Sequence, residues 1–426
     1  MQFLKSTLYN VLRKHEHLFK TDMVYVAKNG FWVFFGQISS SVLSLVLVII
    51  FANLVNKETY GLYRYILSIA GILNIFTLTG MNEAVTQAVA AGKEYAFKAS
   101  IIYQLKWNLL MFGAALVLGS YYLLNGNPTL AISIWVMGIF SPLTATLNTY
   151  NSYLAGKKKF KVVNLCGFVS TLIYVVGMIT AIYLSGDLVV WLIVAYSLTT
   201  FISNLIFYVA VTRIYRPPSA VSGPKSEIKE VINYGRNLTF IGYLGKIVAQ
   251  IDSIVLVHFW GASSLAVYSL ANAMPNRATG MLKDYTSLGF PKFASKTATE
   301  INSIFRRRII QGLVIGAICT LAYVVLSPFL FKYLIPKYID GLFYSQLLAI
   351  SIIFALPNRY VGLILTAQKL TKSIFVSSLV QNTTQILLYI VLGIWGGILG
   401  LIIAKVSFSF VSFLINIMVW KISTSE

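Results

Sequence analysis

The chain has 426 residues, of which 57% are hydrophobic and only 11% are charged, and its mean hydropathy is +0.76. This composition lies far outside the range of soluble globular proteins and excludes a soluble enzyme or binding domain. The formal net charge of +21 would suit a nucleic acid or an anionic surface as partner, but the positions of the basic residues argue for a different origin.

The first segment, residues 1–29, interleaves leucines such as Leu4, Leu8 and Leu12 with basic residues. This pattern is typical of an amphipathic helix on the cytoplasmic leaflet. A plain basic anchor is an equal alternative. No small-residue cleavage site follows the first apolar run, so a cleaved signal peptide is not expected.

Twelve apolar runs follow, and each has the ~20 residues that a helix needs to cross a hydrocarbon core of about 30 Å. They are residues 30–54, 60–80, 101–124, 129–154, 162–184, 188–211, 232–258, 263–290, 309–331, 342–366, 373–394 and 397–420. The sequence therefore predicts an all-α integral membrane protein with twelve transmembrane helices.

The basic residues are distributed unevenly over the connections between these spans. With alternate connections on opposite sides, 23 of the 34 Lys and Arg residues fall on one side and three on the other. The positive-inside rule then places both termini in the cytoplasm. Most of the net charge is explained by topology, so a nucleic-acid partner is not expected.

A linker at 212–231 contains Arg216-Pro217-Pro218 and reads as a boundary between two halves. It separates an N-lobe, 30–211, from a C-lobe, 232–421, and a cytoplasmic tail follows at 422–426.

The two lobes show a weak internal repeat. A shift of 205 residues aligns Phe35 with Phe240 and Tyr63 with Tyr268. Six spans, a linker and six more spans predict a parallel pseudo-repeat about an axis along the membrane normal, with ligand bound between the halves.

Two spans of the C-lobe contain charged residues at mid-depth: Lys246, Asp252 and Arg277. Each would cost about 2.5–3.5 kcal/mol if it faced lipid, so we expect them to face water, a partner charge or a ligand. Polar residues at helical spacing predict one lumen-facing stripe on each span. The stripes are Thr239, Tyr243, Lys246, Gln250 and Ser253, and Asn272, Asn276, Thr279 and Lys283. A hydrogen-bond network that only locks helices together is the alternative.

Three further cations, Arg64, Arg359 and Lys405, also lie within spans, and Arg64 is near enough to an outer helix end to snorkel. The eleventh span has a polar stripe that includes Gln381 and Asn382. Cys166 and Cys319 have no neighbouring His or carboxylate, so neither a disulfide nor a metal site is expected.

Two local motifs add a family resemblance. Tyr60-Gly61-Leu62-Tyr63 follows the first span, and Gly80-Met81-Asn82-Glu83-Ala84 with Gln87-Ala88-Val89-Ala90, which reads as a helix continuing beyond the membrane, follows the second. With twelve spans in two lobes, this layout resembles the Wzx-type polysaccharide flippases of the MOP superfamily, which also contains the MATE drug exporters and the lipid II flippases. The count of twelve favours the Wzx branch over the fourteen spans usual in lipid II flippases.

The resemblance implies a flippase in the cytoplasmic (inner) membrane that moves polyprenyl-pyrophosphate-linked oligosaccharide by alternating access through a cationic central cavity. It implies a polysaccharide polymerase and assembly proteins as further partners, and no cofactor. The expected pyrophosphate contacts are Lys246, Arg277, Arg359, Arg64 and Lys405, because Arg suits bidentate phosphate contacts and Lys acts as a point charge. The expected sugar contacts are Tyr243, Gln250, Asn272, Asn276, Gln381 and Asn382.

Two roles are open for Asp252. It can pair with Lys246 or Arg277 when cargo is absent, or it can bind a proton or sodium ion that drives the cycle. No Walker A motif is present in the sequence, so ATP-driven transport is not predicted.

Three alternative functions remain. A MATE-type drug exporter would be expected to have an acidic lumen for cationic drugs, whereas the charged residues in these spans are mostly basic. A membrane-bound polymerase or ligase would need larger external loops than the sequence provides. A purely structural assembly protein would not justify the cost of the buried charges.

Overall fold

The computed structural model describes residues 23–186, 188–219, 223–287, 298–368 and 370–425. Every regular element within these ranges is a helix. Residues 1–22 of the predicted amphipathic segment lie outside the described residues.

Fourteen α-helices make up the described chain. They are α1 (Met23–Leu54), α2 (Lys57–Leu73), α3 (Met81–Ala90), α4 (Ala96–Leu124), α5 (Pro128–Leu147), α6 (Thr149–Gly156), α7 (Phe160–Ser185), α8 (Val189–Tyr215), α9 (Lys225–Trp260), α10 (Ala262–Ser287), α11 (Ala298–Leu334), α12 (Leu342–Ala349), α13 (Ala355–Ala367) and α14 (Thr371–Ser425). Short 3₁₀ segments lie at Asn74–Phe76, Pro336–Gly341 and Ile350–Phe354.

Nine helical stretches of the described residues are long and apolar enough to cross a membrane, or ten if the bent pair α2 and α3 counts as one span. This confirms the prediction of an all-α, multi-pass membrane protein. The predicted helix after the second span is also confirmed as α3, but it is bent by 58° from the helix before it. Several helices extend beyond the predicted spans because their ends are polar: α9 begins at Lys225, ahead of the predicted start at 232.

Two glycines make equivalent breaks between consecutive spans. Gly186 ends α7 with φ 58° and ψ −132°, and Gly397 interrupts α14 with φ 55° and ψ −131°. This backbone region is essentially open only to glycine. Gly397 therefore divides the 55-residue α14 into two stretches at a kink, near the junction of the spans predicted at 373–394 and 397–420.

The start of α5 follows ordinary capping chemistry. The Asn127 side chain accepts a hydrogen bond from the amide of Leu130 at 3.1 Å, and Pro128 occupies the first helical position. Asn at the N-cap satisfies an otherwise unpaired donor, and proline at this position loses no helical hydrogen bond. Asn127, Pro128 and Leu130 thereby fix the start of α5 directly after the turn that follows α4.

The chain divides into two compact units. The first contains the described residues of Met1–Leu47 and Leu73–Tyr243, and the second contains those of Val48–Ile72 and Leu244–Glu426. This division differs from the predicted lobe boundary at 212–231, because α2 with the end of α1 packs with the C-terminal part of the chain. The predicted lobe boundaries stay a prediction.

The first unit has an apolar core near α3 and α6. Met81, Val85 and Tyr153 are almost fully buried there, and the rings of Phe97 and Tyr153 lie 4.9 Å apart. Where such a side chain would otherwise be exposed to water, its burial stabilises the fold by about 1.5–3 kcal/mol. Where it would otherwise be exposed to lipid, close packing is what stabilises the fold. This core fixes α3 against the neighbouring spans.

The second unit has its own core, formed by α11, α13 and α14. Ile309, Val361 and Phe413 are buried, and Trp420 stacks on Phe305 with ring centroids 5.6 Å apart. The core leaves the polar faces of α13 and α14 free to line a cavity.

A charged cluster fixes the connection between α3 and α4. The Glu94 carboxylate forms a salt bridge with Lys157 and accepts a hydrogen bond from the Tyr153 hydroxyl at 2.7 Å. Next to it, Lys93 forms a salt bridge with Glu227 at 2.8 Å. The hydrogen bond from the Lys157 ammonium is the main cause that holds the pKa of Glu94 below its usual value; burial opposes it, and the Tyr153 hydroxyl adds to the lowering.

Glu94→Gln is therefore expected to destabilise the protein by about 1 kcal/mol at pH 7. Because the folded pKa of Glu94 is lowered, its contribution is fully present above the pKa of the unfolded chain, about 4.3, and is lost as the pH falls from there through the folded value. Thermal unfolding of the purified protein at a series of pH values measures this. The difference between wild type and variant should shrink below pH 4.3, and a difference that is constant over the whole pH range would contradict this role of Glu94.

Candidate functional site

The second unit contains a small cavity of about 450 Å³ between α2, α9, α10 and α14. Its charged lining consists of Arg64, Arg277 and Lys405 against Asp252. Three cations against one carboxylate make the lining predominantly basic, which favours an anion and disfavours a cation.

Arg64 is brought to this cavity by α2. Its Nε atom is buried and has no hydrogen-bond partner among the described residues. A buried donor without a partner costs about 1–3 kcal/mol, and more when charged. Arg64 lines the cavity, and snorkelling to the outer end of its helix stays a prediction.

Asp252 is held by neutral donors. One carboxylate oxygen accepts a hydrogen bond from the Tyr268 hydroxyl at 2.9 Å, and the other accepts from the Ser253 amide at 2.7 Å and its hydroxyl at 3.2 Å. Pairing of Asp252 with Lys246 or Arg277 and binding of a proton or sodium ion both stay predictions.

Lys405 links α14 to α10. Its ammonium donates hydrogen bonds to the side-chain oxygens of Asn272 at 2.8 Å and Asn276 at 3.2 Å. The two asparagines are four residues apart on α10 and so present their amides on one helix face. The ammonium is thereby fixed at the cavity wall.

A larger cavity of about 600 Å³ adjoins α13 and both stretches of α14. Its lining contains a connected network of amides and hydroxyls. Gln381 donates to Asn416 at 2.9 Å and to Ser377 at 2.6 Å, and accepts from Ser412 at 2.7 Å. Asn416 donates to Asn358 at 3.0 Å. Such a network fixes the orientation of each polar group at the cavity wall.

Asn416→Ala is expected to destabilise the protein by about 1–3 kcal/mol, because Gln381 and Asn358 would each lose a partner at a buried site. The midpoint of thermal unfolding in detergent measures this effect. Asn204→Ala is the matched control, since among the described residues Asn204 donates only to a backbone carbonyl of its own helix. Equal midpoints for Asn416→Ala and wild type would show that the network does not stabilise α14.

Nine of the twelve predicted site residues line one or both cavities. The small cavity has Arg64, Gln250, Asn272 and Arg277; the large cavity has Arg359 and Gln381; and Asp252, Asn276 and Lys405 line both. The predicted cations therefore do not all meet in one chamber, because Arg359 lies with the amide network.

Three predicted site residues, Lys246, Tyr243 and Asn382, are outside the lining of both cavities. Tyr243 falls in the first unit, with its ring 5.2 Å from that of Phe240. The lumen-facing stripe predicted on α9 is also interrupted at Thr239. This residue is 1% exposed, and its hydroxyl accepts from the Gly80 amide at 3.0 Å and donates to the Gly235 carbonyl at 2.8 Å.

The sequence interpretation missed several residues of the large cavity. They are Asn358, Ser377, Ser409, Ser412 and Asn416. A usable signal was present: Ser409, Ser412 and Asn416 follow Lys405 at intervals of 4, 7 and 11 residues, which places all four on one helix face. Uncharged polar residues at that spacing are equally compatible with helix packing, so the pattern alone does not indicate a cavity wall.

These features define a multi-pass, all-helical membrane protein with polar, basic cavities in its second unit. Its fold is that of MOP superfamily transporters. An inward-facing MATE-family multidrug resistance transporter of this superfamily is similar over 91% of this chain and 96% of its own, with a TM-score of 0.67 and 15% identity. The lipid II flippase MurJ, in an inward closed conformation, is similar over 92% and 87% with a TM-score of 0.66 and 14% identity.

A third structure is a MOP superfamily transporter from Pyrococcus furiosus for which reverse polarity of the binding pocket suggests a different function. It is similar over 93% of this chain and 95% of its own, with a TM-score of 0.58 and 14% identity.

The chain belongs to the polysaccharide biosynthesis protein family, whose profile matches residues 26–294. The resemblance inferred from the sequence is thus confirmed at the level of family and fold. None of the curated proteins compared matches the chain.

Proposed function

We propose that this protein is a flippase that moves polyprenyl-pyrophosphate-linked oligosaccharide across the cytoplasmic membrane, from the inner to the outer leaflet, for polysaccharide biosynthesis. The observation that carries the proposal is the basic lining of the small cavity, with Arg64, Arg277 and Lys405 against Asp252. A pyrophosphate group needs cations of this kind, and one arginine side chain can donate two parallel hydrogen bonds to the phosphate oxygens. Membership of the polysaccharide biosynthesis family supports this cargo class.

A drug exporter is the alternative within the same fold. A cationic drug would require an excess of acidic groups at its site. The excess of basic groups in the small cavity favours the anionic cargo. A membrane-bound polymerase or ligase is disfavoured by the short connections, such as the three residues between α4 and α5.

Twelve spans in two six-span halves are part of the proposal. Gly397 divides α14 into two stretches, and α10 has 26 residues, enough to cross the membrane at about 1.5 Å per residue. The parallel repeat is supported by the matching breaks at Gly186 and Gly397 and by the starts of α2 and α10, which are 205 residues apart. With this topology both termini are cytoplasmic, and transport proceeds by alternating access.

No organic cofactor or ATP is required in this scheme. Asp252 is the group proposed to couple flipping to a proton or sodium gradient, because a carboxylate within a span can change its charge or bind a cation during the cycle. A polysaccharide polymerase and assembly proteins would then receive the flipped cargo in the outer leaflet.

Reconstitution into liposomes tests the function directly. A fluorescent polyprenyl-pyrophosphate-linked oligosaccharide is placed in the membrane, and the fraction in the outer leaflet is measured with an impermeant quencher. We expect exchange between leaflets well above that of protein-free liposomes. No exchange of this lipid, together with transport of a cationic dye, would replace the proposal with the drug-exporter alternative.

A further inference from the structure

The two cavities of the second unit differ in chemistry but share part of their walls. Both are lined by Ala249, Asp252, Asn276 and Lys405. We propose that they receive different parts of one ligand: the small cavity takes the diphosphate, and the large cavity takes the sugars nearest to it. This division rests on the proposed function and specifies how its cargo is recognised.

The small cavity has the features of a diphosphate site. Two of its cations are arginines, and the buried Nε of Arg64 has no hydrogen-bond partner among the described residues. A diphosphate oxygen would supply that partner and remove the cost of a buried, unsatisfied donor. Its volume of about 450 Å³ lies within the range of small-molecule sites but is too small for a whole oligosaccharide.

The large cavity has the features of a carbohydrate site. Amides and hydroxyls outnumber the charged groups of Asp252, Arg359 and Lys405 in its lining, which also includes the aromatic residues Tyr389 and Phe408. Amides can donate and accept at once, which suits sugar hydroxyls. The side chains are already oriented: Asn358 donates to the Ser409 carbonyl at 3.1 Å, and Gln381 is held by three neighbours. A site with fixed polar groups discriminates strongly against a ligand that lacks the matching hydroxyls.

Lys405 lies at the junction of the two cavities. The hydrogen bonds from its ammonium to Asn272 and Asn276 hold the positive charge in the shared wall. A ligand that extends from one cavity to the other passes this charge at the bond between its phosphate and its first sugar. Lys405 therefore marks the boundary between the diphosphate and the sugars of the cargo.

Binding to the purified full-length protein in nanodiscs tests the division with two probes. One is farnesyl diphosphate, and the other is the same lipid diphosphate carrying N-acetylglucosamine. We expect the sugar-bearing probe to bind about tenfold more tightly, a difference equivalent to about 1.4 kcal/mol. Arg64→Gln should weaken both probes at least tenfold. Gln385→Ala, a change in the lining of the large cavity, should remove the advantage of the sugar and leave the affinity for farnesyl diphosphate unchanged.

Thr384→Ala is the control, because within the described part of the chain Thr384 donates only to the Val380 carbonyl of its own helix and lines neither cavity. It should leave both affinities unchanged. The division is overturned if Gln385→Ala weakens both probes equally, or if the sugar confers no added affinity on a wild-type protein that still flips lipid-linked oligosaccharide. If wild type binds neither probe and moves no lipid-linked oligosaccharide, the proposed function itself fails.

Discussion

Arg277→Ala is expected to abolish surface polysaccharide in cells that depend on this protein, with at least a hundredfold loss of flipping in liposomes. Arg277 lines the small cavity, where removal of one arginine takes away a charge-assisted, paired contact to the phosphates. Hydrogen bonds to charged groups contribute about 1.5–3 kcal/mol each, so the loss of two explains the magnitude. Protein abundance in the membrane should remain near that of wild type, because the variant removes an expensive intramembrane charge.

Two companion variants make this result interpretable. Arg277→Lys keeps the charge but loses the planar fork, and should retain a small part of the activity. Lys337→Ala removes an exposed cation and should behave as wild type. Normal polysaccharide in the Arg277→Ala strain, with equal protein levels, would remove Arg277 from the binding site.

Gly61→Val is expected to give the largest loss of folded protein. A Cβ atom at Gly61 would lie 1.8 Å from the Ala262 carbonyl oxygen and 2.4 Å from its carbonyl carbon. Because these are backbone atoms, relief requires that α2 and α10 move apart, and overpacking of this kind costs about 1–3 kcal/mol or more. The fraction of monodisperse protein after extraction in detergent, and its thermal unfolding midpoint, measure the effect.

Gly113→Ala is the matched control within a helix. A Cβ at Gly113 meets no atom within 4 Å. The substitution should leave stability unchanged or raise it by up to about 1 kcal/mol, since alanine favours helix more than glycine does. If Gly61→Ala were as stable as Gly113→Ala, the close approach of α2 to α10 would not exist in the folded protein.

The helical architecture could be predicted because each span needs a long apolar run, which hydropathy detects directly. The polar ends of the helices could not be predicted in this way. The helix α9 begins at Lys225, seven residues before the predicted span at 232, because its first residues are polar and lie outside the apolar run. The grouping of Val48–Ile72 with the second unit could not be predicted from the sequence either. It depends on tertiary contacts such as that between Asn53 and the Leu334 carbonyl, 281 positions apart, for which hydropathy contains no signal.

The candidate site could be predicted where charge marked it. Arg64, Arg277 and Lys405 were found because an ionised group in a span is costly and needs a reason. Thr239 was predicted to face the lumen but is buried. Its hydroxyl donates a hydrogen bond to the Gly235 carbonyl of its own helix, as threonine in helices often does. The amide network around Asn416 was missed because neutral polar residues in a span serve packing and binding equally well.

The most direct test of the account is a structure of the protein determined by electron cryo-microscopy with farnesyl diphosphate bound. We predict that both phosphates lie in the small cavity, within hydrogen-bond distance of Arg64 and Arg277 and next to Lys405. Phosphate density elsewhere, with the small cavity occupied only by solvent, would contradict the assignment of this cavity to the diphosphate.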